Sequence, residues 1–247
     1  MNFNHYKILF LVVLSAFSVM HKPYAQKISL INAGVSGNTT EDLLSRIKPD
    51  VIDSDPDIVI VMIGTNDMLN TKKMVPYNEY QNNLNLIVRS LNKNHIKVLL
   101  VSPPPVDVNY LYKRHDQKLY DQSPNTKMDS ISRIMESLCK DDSAYFIDVN
   151  TLFKQKGIPD HNKDLYIKNK MNSGEEDGVH PTAKGYQLIA EHIFKFLQKK
   201  QWLKNDGTIF CFGDSITFGK NVKGEGTATG QTYPAYLADL IKNHKDN

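Results

Sequence analysis

Short apolar runs alternate with longer stretches in which apolar residues recur every three or four positions, and this alternation continues from residue 28 almost to the C-terminus. The runs at 28–32, 58–63, 96–101, 144–149 and 208–212 have the length and apolar density of buried strands. Between them the helical period dominates. Thr40 is expected to cap a helix through Leu43, Leu44 and Ile47, and Pro76 to open one carrying Tyr80, Leu84, Ile87, Val88 and Leu91. Further helices are expected at 127–140, 181–199 and 233–243. Strands alternating with helices predict a parallel sheet covered on both faces. Two stretches carry neither period: 102–126, opened by Pro103-Pro104-Pro105 and rich in Tyr, and 219–232, rich in Gly and Thr. Both follow the C-terminal end of an expected strand or the motif there, the edge where open α/β sheets bind ligands.

The first residues follow another pattern. Lys7 precedes an apolar run over 8–19, which leaves through His21-Lys22-Pro23-Tyr24-Ala25-Gln26. A basic front, a run too short to span a bilayer and a small-residue exit predict a secretory signal peptide over 1–25. One domain is then expected over 26–247, in a secreted or periplasmic protein without stable membrane insertion. Loss of 1–25 removes Lys7 and Lys22 and no acid, so basic residues fall from 30 to 28 against 27 acids. A nearly neutral chain without a basic cluster gives no support for nucleic-acid binding. Its hydrophobic fraction of 40% is sufficient for a buried core. Cys139 and Cys211 could pair in an oxidising compartment, but Cys211 lies inside an apolar strand and is expected to pack as a small hydrophobe. Two cysteines without a histidine cluster give no metal signal, and no cofactor is expected.

Four segments carry candidate chemistry: Asn32-Ala33-Gly34-Val35-Ser36-Gly37, Gly64-Thr65-Asn66-Asp67, Asp177-Gly178-Val179-His180-Pro181 and Gly213-Asp214-Ser215-Ile216-Thr217. A serine ester hydrolase needs a hydroxyl on a sharp turn, a base, a carboxylate that orients the base, and donors for the developing oxyanion. Ser215 follows an apolar strand. Asp177 and His180 have a spacing that can put a carboxylate beside one imidazole nitrogen while the other faces Ser215, ahead of a helix opened by Pro181. Gly37 offers a backbone amide without a side chain in front of it, and Asn66 an amide at a strand tip. His95, His115, His161, His192 and His244 read as solvated or structural, with His244 in the tail.

The four segments together resemble the sequence blocks of the SGNH hydrolases, also called GDSL-type esterases, and the resemblance extends to Tyr233-Pro234 and Gly185-Tyr186. It covers nearly all of the chain after the signal. It implies a three-layer α/β/α sandwich with a five-stranded parallel sheet, the flavodoxin-like SGNH fold, with Ser215, Gly37, Asn66 and His180 as the residues that name the family and Asp177 completing the triad. It also implies a serine ester hydrolase without a cofactor, acting on a small-molecule ester. The polar, Tyr-bearing loops favour a small acyl group on an acetylated carbohydrate or another polar carrier. A lysophospholipase or thioesterase, or a carbohydrate-binding module on a decayed esterase scaffold, are the alternatives. In the family the Gly-Asp-Ser block comes first; here it comes last. A circularly permuted domain is expected, with the nucleophile strand and its following helix at 208–243, central in the sheet between the strands leading to Gly37 and Asn66. The other reading of this order is a fragment of two broken copies.

Overall fold

The computed structural model of the chain describes residues 28–140, 143–203 and 206–245. The expected signal peptide lies outside the described residues. Five parallel strands, β1 (Ile28–Gly34), β2 (Ile58–Met62), β3 (Lys97–Val101), β4 (Tyr145–Ile147) and β5 (Gly207–Gly213), form one sheet in the order β1-β5-β2-β3-β4. The helices are α1 (Thr40–Asp50), α2 (Thr65–Leu69), α3 (Tyr77–Lys93), α4 (Val108–Arg114), α5 (Pro124–Ser137), α6 (Val149–Gln155), α7 (Lys170–Ser173), α8 (Ala183–Lys199), α9 (Ser215–Phe218) and α10 (Tyr233–Lys245).

Strand side chains alternate between the two faces, and each face is apolar. Val59 and Val61 of β2, Val98 and Leu100 of β3, and Phe210 and Phe212 of β5 pack with Leu43 of α1, Leu84 and Ile87 of α3, and Ile131 of α5. Their neighbours Ile58, Ile60, Met62, Leu99, Ile209 and Cys211 pack on the other side against Tyr186, Ile189 and Ile193 of α8 and Leu237 of α10. Each of these aliphatic side chains contributes about 1.5–3 kcal/mol when fully buried. The result is the expected three-layer sandwich.

All five expected strands form. The run 144–149 shortens to three residues because Asp148 accepts a hydrogen bond from the Thr151 amide and starts α6. β5 pairs with β1 from Ile28↔Gly207 to Gly34↔Gly213 and with β2 from Ile58↔Ile209 to Met62↔Gly213. The last strand in the chain thus lies between the strands leading to Gly37 and Asn66, as expected, but β2 rather than β5 is the middle one of the five.

Several local expectations are corrected. Residue Thr39, not Thr40, is the N-cap of α1, its amide and hydroxyl both donating to Asp42. Thr40 gives its amide and hydroxyl to Asp67 instead. The stretch 102–126 is not irregular throughout. Asp107 caps α4 by accepting from the Asn109 amide, and Ser123 caps α5, which begins at Pro124. Pro181 does not open α8; it bridges to Ile167, and the Thr182 hydroxyl caps the helix. His244 belongs to α10, where its ring meets Phe194. Cys139 and Cys211 are not joined in a disulfide, and burial pushes the Cys211 thiol up.

Candidate active site

The C-terminal ends of β1, β5 and β2 bring three of the four segments to one edge, and the loop before α8 brings the fourth. Beyond β5, Asp214 caps α9 by accepting from the Ile216 amide at 2.8 Å, which puts Ser215 at the first position of the helix. The Ser215 side chain is buried at 7% exposure. The loop before α8 brings His180 against it, with His180 Nε2 3.0 Å from Ser215 Oγ. His180 Nδ1 lies 2.7 Å from Asp177 Oδ2, while Asp177 Oδ1 accepts from the amides of Val179 and His180 at 2.8 and 2.7 Å. Burial raises the Asp177 carboxyl, but the His180 hydrogen bond and the two amides outweigh it and hold the group well below the usual carboxylate range. Asp177 is therefore an anion at neutral pH. An anion on Nδ1 favours the tautomer that leaves Nε2 free to accept from Ser215.

Gly37 and Asn66 line the same pocket as Ser215 and His180, an open cavity of about 220 Å³. Gly37 has φ +84°, and nothing stands within 4 Å of where a Cβ would be. The Asn66 side chain donates to the Asn38 carbonyl at 2.9 Å. That bond uses one of its two amide protons and fixes the amide plane. The five residues singled out in the sequence are thus gathered at one edge.

Other side chains hold the edge together. Arg46 reaches from α1 to donate to the Ala33 and Gly213 carbonyls at 3.0 and 2.9 Å and to Asn38 Oδ1 at 2.6 Å, with its guanidinium 4.4 Å over the Phe212 ring. Arg114 donates to the Asp177 carbonyl at 2.6 Å and also lines the pocket. His115, read from the sequence as solvated or structural, lines the pocket and hydrogen-bonds Thr71 Oγ1 at 3.0 Å. His161 pairs with Asp107 at 2.6 Å and stacks near Tyr110. No local pattern announced these four, because their partners are carbonyls and side chains distant in sequence. Two further carboxyls lie beneath the site. Burial raises Asp67 to about 6 and Asp214 to about 7, and one oxygen of each has no hydrogen-bond partner. Among the described residues no group of His, Cys, Asp and Glu could hold a metal ion, and no helix is long and apolar enough to cross a membrane.

The sequence model of the GDSL-like Lipase/Acylhydrolase family matches residues 18–188. The chain belongs to this family. It is a carboxylic ester hydrolase, with the family's parallel α/β fold. An acetylxylan esterase of Geobacillus stearothermophilus is 28% identical over 68% of this chain and 71% of its own length. An isoamyl acetate-hydrolyzing esterase of Saccharomyces cerevisiae is 23% identical over 71% of each. A solved acetylxylan esterase from Geobacillus stearothermophilus superposes with a TM-score of 0.51 at 24% identity, over 67% of this chain and 69% of that one, a likeness of fold. The family match stops short of β5 and Ser215.

Proposed function

We propose that this hydrolase cleaves esters through a Ser215 acyl-enzyme. Unbroken hydrogen bonding from Asp177 through His180 to Ser215 is the observation that carries this reading. His180 Nε2 takes the Ser215 proton as Oγ attacks the ester carbonyl. The resulting oxyanion receives the Gly37 and Ser215 backbone amides and the remaining Asn66 side-chain proton. Collapse expels the alcohol, which takes the proton back from His180. Water, deprotonated by the same nitrogen, then attacks the acyl-enzyme, and the carboxylate leaves as Ser215 is restored. Asp177 stays ionised throughout and stabilises the imidazolium.

The substrate is a small acyl group, acetate above all, on a carbohydrate or other polar carrier. Leu69, Leu111 and Val179 supply the pocket's aliphatic lining, while Asn70, Arg114, His115 and Lys220 make the rest of its rim polar. This suits a short acyl chain beside a hydrated carrier better than a long lipid chain, which needs an extended apolar groove. The acetate-ester names of the relatives point the same way. We read the order of the blocks as a circular permutation: each occurs once, the family match ends before β5, and β5 nevertheless lies between β1 and β2. Export through the N-terminal segment would bring the enzyme to such carriers outside the cytoplasm.

Hydrolysis of p-nitrophenyl esters from acetate to octanoate, by wild type and Ser215→Ala with folding checked by circular dichroism, tests the reading. Serine-dependent turnover that falls with chain length supports it. Turnover that rises with length would favour a lysophospholipase or thioesterase, and a folded wild type without serine-dependent turnover would favour a binding module.

A further inference from the structure

Lys168 is a lysine buried at the junction of the loop that carries Asp177 and His180 and the segment that follows Ser215 and α9. Its side chain is only 4% exposed. The backbone around it is pinned to the His180 loop, since the Lys168 amide donates to the His180 carbonyl at 2.9 Å and the Lys168 carbonyl accepts from Gly178 at 2.9 Å. The bridge from Ile167 to Pro181 continues this pairing, and the next residue, Asn169, caps α7. The Lys168 ammonium turns the other way. It donates to the Asn221 carbonyl at 2.7 Å, lies 3.4 Å from the Lys220 carbonyl, and has Glu175 Oε1 at 3.7 Å. The Lys220 amide in turn donates to the carbonyl of Ser215 at 3.1 Å. One residue therefore grips the His180 loop with its main chain and the segment after α9, which is tied back to Ser215, with its side chain.

A buried ammonium is retained only where acceptors replace its water, and here backbone carbonyls supply most of them. An uncharged apolar residue would fill the slot with less desolvation cost, so packing alone gives no reason for a lysine. Segment 219–232 has no regular secondary structure and is held by its own turns, such as Gln231 N to the Lys223 carbonyl at 2.8 Å, while the Lys168 ammonium joins it to the His180 loop.

We propose that Lys168 is a positioning residue for this hydrolase, setting the Ser215 to His180 separation by tying the 220–221 carbonyls to the His180 loop. The proposal rests on the Ser215 esterase reading. Displacement of a nucleophile by about 1 Å costs on the order of a hundredfold in rate, while binding of a small ester depends little on that distance. Lys168→Met keeps the aliphatic stem and removes the donors. With p-nitrophenyl acetate it is expected to lower kcat about 10- to 100-fold with KM within about twofold. Leu91→Ala, in the buried C-terminal part of α3 and away from the pocket lining, serves as a stability control. Assayed well below both melting temperatures, it should keep kcat within about threefold.

A folded Lys168→Met enzyme with kcat within about threefold of wild type, or a loss matched by the Leu91→Ala control, overturns the proposal. Should Lys168→Met fail to fold, Lys168→Arg carries the test. Its longer, planar guanidinium cannot put a point donor at the same place, so it too should lower kcat at constant KM, and wild-type kcat from it would overturn the proposal. Wild-type protein without Ser215-dependent turnover would instead overturn the esterase reading itself, which separates the two failures.

Discussion

Replacing Asp177 by Asn tests the candidate relay where its chemistry is most sharply defined. In the wild type, one carboxylate oxygen accepts from two backbone amides at 2.8 and 2.7 Å, and the other faces His180 Nδ1 at 2.7 Å. An Asn carbonyl oxygen keeps the two backbone amides, so the NH2 group turns to His180. Nδ1 must then accept, the ring proton moves to Nε2, and Ser215 loses its base. Reaching the productive tautomer costs about one lost buried hydrogen bond, on the order of 1–2 kcal/mol. The imidazolium formed in the transition state also loses its counter-charge. At about 4 Å between charge centres and an effective dielectric of about 20, that is worth about 4 kcal/mol. Together about 5 kcal/mol corresponds to a loss of about a thousand- to ten-thousandfold in kcat. The assay is kcat and KM with p-nitrophenyl acetate at pH 8, alongside thermal unfolding. A folded Asp177→Asn enzyme that retains more than about a tenth of wild-type kcat would refute the relay. The stability signature is separate. The Asp177 carboxyl is depressed in the folded chain, so its contribution is complete above the unfolded value of 3.8 and is lost as pH falls below it. The difference in Tm between wild type and Asp177→Asn should therefore shrink below about pH 4.

Other outcomes follow from the same geometry. Asp214 titrates at about 7 in the folded chain against 3.8 ordinarily, so the folded state holds a proton that the unfolded chain has released, and stability falls as pH rises from about 4 through 7. Asp214→Asn, which can keep the cap to Ile216, should flatten that decline in unfolding titrations between pH 5 and 8, by up to about 3 kcal/mol over that window; an unchanged slope would show that Asp214 is not its source. Asn66→Ala should lower kcat about a hundredfold with KM little changed, and an equal loss in 1/KM alone would argue against an oxyanion role. Gly178 has φ +73°, and a Cβ there would stand 2.7 Å from the Asp107 carbonyl oxygen, so Gly178→Ala should cost about 1–3 kcal/mol in denaturant unfolding and displace His180. Truncation after Asp206 removes β5 and should abolish cooperative unfolding, whereas a soluble, cooperatively folding product would contradict the observed sheet.

The elements legible in the sequence are those whose signal is local. The five apolar runs became the five strands because their short apolar stretches are a local signal, strongest in β2 and β3, which are buried along most of their length, and weakest in the edge strand β1, where Ile31 is 40% exposed. Asp177 and His180 could be paired on paper because three-residue spacing in a tight loop brings carboxylate and imidazole together with no information from elsewhere. Arg46, Arg114 and Lys168 stayed invisible for the opposite reason. Each is a cation placed by carbonyls far away in the chain, and nothing in its neighbourhood distinguishes it from a solvated surface residue. Helix α4 was hidden by Pro103-Pro104-Pro105 and by its length of seven residues, too short for a periodic signal; its Asp107 cap was the available clue. The reassignment of Thr40 has the same character, because its preference for Asp67 over a capping role depends on α2 lying across the sheet edge.

Chain order and spatial order play different parts in this domain. Ser29 and Thr208 are 179 positions apart in sequence, yet their hydroxyls are 3.4 Å apart on neighbouring strands. The lateral placement of β5 is what brings Ser215 beside Gly37: the β1 to β5 register runs in step to Gly34↔Gly213, and the Val35 amide extends it onto the Gly213 carbonyl at 3.0 Å. A slip by one residue would turn Phe210 and Phe212 to the opposite face and carry Ser215 away from His180, so burial of those rings and placement of the candidate nucleophile are specified by one registration. Chain order decides instead when that registration can occur. Among the described strands β1 pairs with β5 alone, so β1 has no neighbour in that sheet until β5 is made. Folding must close the longest loop in the sheet to form β1–β5, a slow step by contact order, and Arg46, which ties the Ala33 and Gly213 carbonyls, acts only after that closure. The geometry of the candidate site is set by contacts between the end of β5 and the His180 loop, the 3.0 Å separation of Ser215 Oγ and His180 Nε2 among them, and chain order enters only through the closure that must precede them.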